Sequence, residues 1–150
     1  MKSDYRVADL VPHSGRMSLL TEITGYGDDW LSAEVAINAD SMFADSRGVP
    51  AWVGLEYLAQ AIGAFAGLQE RLKGEAPKLG FLLGTRKYRC SADYFLLGDR
   101  VALKVIRNMQ AENGLSAFEC FLQGNDVSAS ASLNVFQPED GEQFLKDANQ

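Results

Sequence analysis

The chain holds one histidine, His13, and two cysteines, Cys90 and Cys120, with no Cys-x-x-Cys pair. Zinc sites draw their ligands from clustered Cys and His, so this inventory offers no metal site. Both cysteines fall in strand-like stretches and read as buried, reduced thiols. Excess positive charge is missing as well: the net charge is −6, which argues against broad nucleic-acid binding. Met1-Lys2-Ser3-Asp4-Tyr5-Arg6 has none of the apolar character of a signal peptide, and the expected location is cytoplasmic. Repeats and linkers are lacking too. The 150 residues therefore read as one domain, 1–150, with 1–10 a peripheral lead-in and 139–150 a peripheral polar tail.

What is present is one long apolar run. Between Ala51 and Leu68 only Glu56 and Gln60 carry strongly polar side chains. Pro50 suits a first helical turn, where its missing N–H costs nothing. Glu70, Arg71 and Lys73 close the run, and Gly74 is a natural stop. A helix apolar on nearly every side is either buried or membrane-spanning. Glu56, Gln60 and the interrupting Gly54, Gly63 and Gly67 count against a span, so the expectation is a central buried helix without membrane insertion. Glu56 and Gln60, four apart, share one face.

Around that run the chain alternates. Two strands, near 18–25 and 30–37, flank the hairpin signal Gly27-Asp28-Asp29. Residues 38–48 read as a loop. Four more strands follow, near 80–90, 100–108, 115–122 and 127–136, separated by Gly98-Asp99, Glu112-Asn113-Gly114 and Gly124-Asn125-Asp126. The expected fold is α+β, a hairpin and a four-strand meander forming one antiparallel sheet of about six strands around the helix. The helix is more apolar than one sheet needs, so dimerisation is expected. Residues 71–107 hold nine basic residues against three acids, a net of +6 that leaves −12 elsewhere. Such a patch fits an acidic partner, and charge alone leaves a solvated face equally open.

The helix start, Val49-Pro50-Ala51-Trp52-Val53-Gly54-Leu55-Glu56-Tyr57-Leu58-Ala59-Gln60, resembles that of the hotdog-fold 3-hydroxyacyl-acyl-carrier-protein dehydratases. Leu10-Val11-Pro12-His13 followed by Met17-Ser18-Leu19-Leu20 is similar to their opening. One departure stands out. That family places its histidine in a Gly-His-Phe-Pro segment before the helix, where this chain has Ser41-Met42-Phe43-Ala44. Pro12-His13-Ser14-Gly15-Arg16-Met17 together with Gly54-Leu55-Glu56-Tyr57-Leu58-Ala59-Gln60-Ala61 looks most like the dehydratases of bacterial aryl-polyene pathways, a divergent branch of the same fold.

The resemblance implies loss of water from a 3-hydroxyacyl thioester carried on the phosphopantetheine of an acyl carrier protein, with no cofactor of the enzyme's own. The implied partners are the carrier and either a second copy or a paralogous hotdog subunit. The chemistry needs a base for the C2 proton, an acid for the departing C3 hydroxyl and donors for the thioester oxygen. His13 titrates in the right range for the base. Glu56, read as a carboxyl inside an apolar helix, should resist ionisation and serve as the acid. The N–H groups of Ala51, Trp52 and Val53 at the positive helix end suit the oxygen, and Gln60 sits one turn on to orient Glu56.

Blander readings stand beside these. His13 is equally at home as a surface or capping residue, Glu56 as a structural carboxylate, Gln60 as a hydrogen-bonding filler and Arg16 as a solvated loop residue. Trp52, Tyr57 and Phe65 read as core or dimer contacts, and Asp45 as a loop residue. Two other functions fit the same fold: a thioesterase, in which the helix carboxylate activates water, and a non-catalytic subunit supporting an active paralogue.

Overall fold

A computed structural model describes residues 19–72, 81–111 and 113–136. Alternation of apolar and polar side chains sets its strands. In β2 (Trp30–Ala36), Leu31, Ala33 and Val35 point inward; in β6 (Arg100–Gln110), Val101, Leu103 and Val105 do the same. The antiparallel register places Leu31 opposite Val105, Ala33 opposite Leu103 and Val35 opposite Val101, so each inward side chain has an inward neighbour across the ladder. β7 (Leu115–Gln123) adds Phe118, Cys120 and Leu122, and β8 (Ser128–Phe136) adds Ala129, Ala131 and Leu133.

With β1 (Glu22–Tyr26) and β4 (Phe81–Cys90), these strands form one six-stranded antiparallel sheet in the order β1-β2-β6-β7-β8-β4. The expected meander is corrected in one respect. β6, β7 and β8 do run as a meander, but β4 pairs with β8 at the far edge. The reason lies in β2, which occupies the free edge of β6 along seven residue pairs.

Helix α1 (Gly54–Leu72) lies on the inner face of the sheet. Tyr57, Leu58, Ala61, Ile62, Ala64, Phe65 and Leu68 are buried there. Removing such side chains from water contributes about 1.5–3 kcal/mol for each large one. On the other side Leu55, Ala59, Gly63 and Ala66 are only half-buried. The expected stop at Gly74 lies outside the described residues. No helix among the described residues is long and apolar enough to cross a membrane.

A two-stranded ribbon of β3 (Gly48–Pro50) and β5 (Tyr94–Leu96) closes the end of the core beside the helix start. Val49 and Phe95 pair across it and are fully buried. Gly48 allows the approach: its φ is 149°, and a Cβ there would lie 2.0 Å from the Phe95 carbonyl oxygen. Across the strands of the larger sheet, Arg100 bridges Glu22 and Glu34, and Arg107 pairs with Asp29 at 2.9 Å.

Cys120 faces the helix from β7. Burial, then the adjacent Glu119 carboxylate, pushes its thiol from 9.0 to about 12. The folded chain thus holds this proton to higher pH than the unfolded chain. The stability it contributes is complete below pH 9.0 and drains as pH rises toward about 12. Thermal unfolding should therefore lose stability more steeply across that window in wild type than in Cys120→Ala. Tyr57 shifts in the same direction but is common to both proteins. Parallel curves would show that the thiol is not so held.

Candidate active site at the helix N-terminus

The helix begins in two steps. Pro50 is extended, with φ −56° and ψ 143°; a 310 turn over Ala51–Val53 follows, and the α-helical ladder starts at Gly54. The first N–H groups of a helix have no partner within it and carry its positive end. Ala51 is already committed, since its N–H donates to the Asp93 carbonyl at 2.8 Å. Its own carbonyl accepts from the Gly54 N–H and from the Tyr88 hydroxyl, the latter at 2.6 Å. The Trp52 N–H has no partner among the described residues. Val53 is buried.

The Trp52 ring is not a core contact: it is 60% exposed and tilts against Phe43, 52% exposed, with ring centroids 5.2 Å apart. Phe43 takes a positive φ of 67°, a region that bulky residues rarely occupy. Tyr57 and Phe65 are buried in the core, as expected. Asp45 is a turn residue. Its carboxylate accepts from the Arg47 and Gly48 N–H groups at 2.8 and 3.3 Å, and the Arg47 bond first of all holds it below its ordinary value.

Glu56 departs from expectation. Its side chain is exposed, not enclosed in an apolar helix, because it falls on the same outward stripe as Ala59 and Gly63. The burial that was to make it resist ionisation is absent in the single chain. Gln60, by contrast, is buried. Its Oε1 accepts from the Leu19 N–H at 2.8 Å, and its Nε2 donates to Glu56 Oε1 over a longer 3.5 Å. Gln60 thus joins the segment that leads into β1 to the carboxylate on the helix.

Ala51, Trp52, Val53, Glu56 and Gln60 are therefore gathered on the first turns of one helix. His13 and Arg16 lie outside the described residues. Met42, at the position where the resembled family has its histidine, lines a cavity of about 800 Å³ together with Leu19, Tyr57 and Phe43. Burial pushes the Tyr57 phenol up to about 12, so it stays protonated. The described loop before the helix supplies no imidazole, and no group of three or more His, Cys, Asp or Glu side chains among the described residues is placed to hold a metal. Tyr88, which no sequence motif singled out, reaches the helix start from β4.

The arrangement offers a carboxyl group, a backbone donor at a positive helix end and a neighbouring cavity, the elements of an acid and an oxygen-binding donor. The family model for ApeP-like proteins, described as ApeP dehydratase, matches residues 5–146. No curated protein sequence matches the chain. Among solved structures, the dehydratase heterocomplex ApeI:P from Xenorhabdus doucetiae is similar at 27% identity and TM-score 0.88, over 99% of this chain and 100% of that one. A hypothetical thioesterase protein with coenzyme A from Streptococcus pneumoniae TIGR4 shares the fold at 12% identity and TM-score 0.61, over 77% of this chain and 84% of that one. The PaaI protein of E. coli does so at 9% identity and TM-score 0.60, over 77% and 81%. The hotdog fold and the hydro-lyase activity implied by the helix motif are both borne out, as is the likeness to the aryl-polyene branch. With nearly its whole length matched, the chain belongs to the ApeP-like dehydratase family.

Proposed function

We propose that this dehydratase removes water from a 3-hydroxyacyl thioester carried on an acyl carrier protein, with His13 as base and Glu56 as acid. The base takes the C2 proton, the C3–O bond breaks as Glu56 protonates the leaving hydroxyl, and the C2–C3 double bond of the trans-2-enoyl thioester forms. The Trp52 N–H, with Val53 beside it, receives the negative charge that gathers on the thioester oxygen. Gln60 holds Glu56.

The observation that carries this reading is the Gln60 bridge between the Leu19 N–H and Glu56. His13 precedes Leu19 by six residues, a span of at most roughly 20 Å of extended chain. Leu19 is thereby held at Gln60, beside the carboxylate, and that short chain separation supports a base drawn from position 13 where position 42 offers only a thioether. The family match favours a dehydratase over the non-catalytic subunit. A second hotdog subunit as partner is supported by the heterocomplex of the similar structure, and the basic stretch 71–107 supports an acidic carrier.

Mass spectrometry of a carrier-bound 3-hydroxyacyl substrate tests the proposal in wild type and His13→Ala. Wild type is expected to remove water and His13→Ala to leave the substrate intact. Equal dehydration by both would remove His13 as the base, and release of free thiol in place of a conjugated enoyl product would mark a thioesterase.

A further inference from the structure

We infer that Tyr88 is a positioning residue that aims the Trp52 N–H at the thioester oxygen by holding the other side of the same peptide plane. The inference rests on the reading of the helix start as the oxygen-binding donor. Ala51 C=O and Trp52 N–H belong to one peptide unit. That unit is planar and trans, so its carbonyl and its N–H point in opposite directions. The Tyr88 hydroxyl grips the carbonyl at 2.6 Å. The Asp93 carbonyl fixes the preceding N–H at 2.8 Å. With both held, the Trp52 N–H has one direction left. A hydrogen bond on the carbonyl also polarises the amide and strengthens its N–H as a donor.

Two independent features clear the way for this contact. Gly54 has no Cβ, and one built there would lie 2.3 Å from the Tyr88 hydroxyl. In β4 the pairing with β8 slips between Arg86 and Arg89, and Lys87 takes a positive φ of 55°. Such a bulge re-aims neighbouring side chains, and Tyr88 is half-buried between the exposed Lys87 and Arg89. Burial, with the Cys90 thiol next, raises the phenol well above its ordinary value, so the hydroxyl remains a donor throughout the working range.

Tyr88→Phe in the full chain tests this, since it keeps the ring and deletes the hydroxyl alone. Removing a direct oxygen-binding donor costs about 10²–10³ in kcat; loosening one is expected to cost roughly tenfold to a hundredfold in kcat, with KM within about twofold. A structural role would not produce the second readout. The infrared carbonyl band of a ¹³C-labelled trans-2-enoyl pantetheine thioester should shift to lower frequency on binding wild type and return toward its free position in Tyr88→Phe. Gly54→Ala, which crowds the hydroxyl from the helix side, should give the same band. Unchanged kcat and an unchanged band would overturn the inference. So would a Tyr88→Phe chain that fails to fold or melts several degrees lower, since the hydroxyl would then serve the fold. Wild-type turnover is measured separately: its absence counts against the carrier-substrate reading, while the carbonyl band, which needs binding alone, still decides the role of Tyr88.

Discussion

Glu56→Gln should lower dehydration by roughly 10²–10⁴-fold, the range in which a positioned general acid acts, while leaving the melting temperature nearly unchanged. The two halves of that expectation have different causes. The carboxamide matches the carboxyl in shape and still forms hydrogen bonds, but it has no proton to give to a leaving hydroxyl. The side chain is exposed, and a substitution at an exposed position usually moves stability by no more than about 0.5 kcal/mol. Its one side-chain hydrogen bond among the described residues is the long 3.5 Å approach of Gln60 Nε2. Single-turnover assays with calorimetry separate the two effects. A variant that keeps turnover within about threefold of wild type would remove Glu56 as the acid, whatever happens to its stability.

Phe65→Ala should have the opposite signature: a loss of about 3–5 kcal/mol of stability with the chemistry of the surviving folded protein intact. Phe65 is 1% exposed, meets Phe118 of β7 edge-on at 5.7 Å, and lies 5.1 Å under the Arg107 guanidinium of β6. Truncating it removes apolar burial, opens a cavity between helix and sheet, and takes away an aromatic pair and a cation–π contact. In a chain of this size the loss corresponds to a fall of roughly 6–20 °C in melting temperature. Nine residues along the helix, about 13 Å, separate Phe65 from Glu56. Urea denaturation measures the loss; kcat corrected for folded fraction tests the separation. A cost below about 1 kcal/mol would contradict the packing of α1 on the sheet.

The parts of this fold that were legible in the chain are those with a period. The Ser-alternating strand β8 and the inward Leu31, Ala33 and Val35 of β2 were readable because every second residue differs in kind. α1 was readable as an apolar run, yet its outward face was not. Leu55, Ala59, Gly63 and Ala66 are small or apolar like the buried side, so hydropathy has no contrast with which to place Glu56. β3 and β5 were missed because three residues are too few to show alternation; what gives them away is spatial, the pairing of Val49 with Phe95. The place of β4 depends on which strand pairs with the free edge of β6, here β2, and chain order does not reveal that. At the site, Glu56 and Gln60 came from a motif and their shared face from helical spacing. The commitment of the Ala51 N–H to Asp93 depends on a turn more than forty residues away, and Tyr88 on a bulge, neither of which leaves a local pattern.

Gln60 carries one more implication. A backbone N–H can only give a hydrogen bond, so Leu19 dictates which end of the Gln60 carboxamide turns toward it. The end with two hydrogens is then the one that meets Glu56 Oε1. Of the two Glu56 oxygens, Oε1 is therefore the one that accepts from the Gln60 amide. The polarity of the main chain at Leu19 thus breaks the symmetry of a carboxyl group one side chain away. Of two chemically identical oxygens, only one becomes an anchor among the described residues.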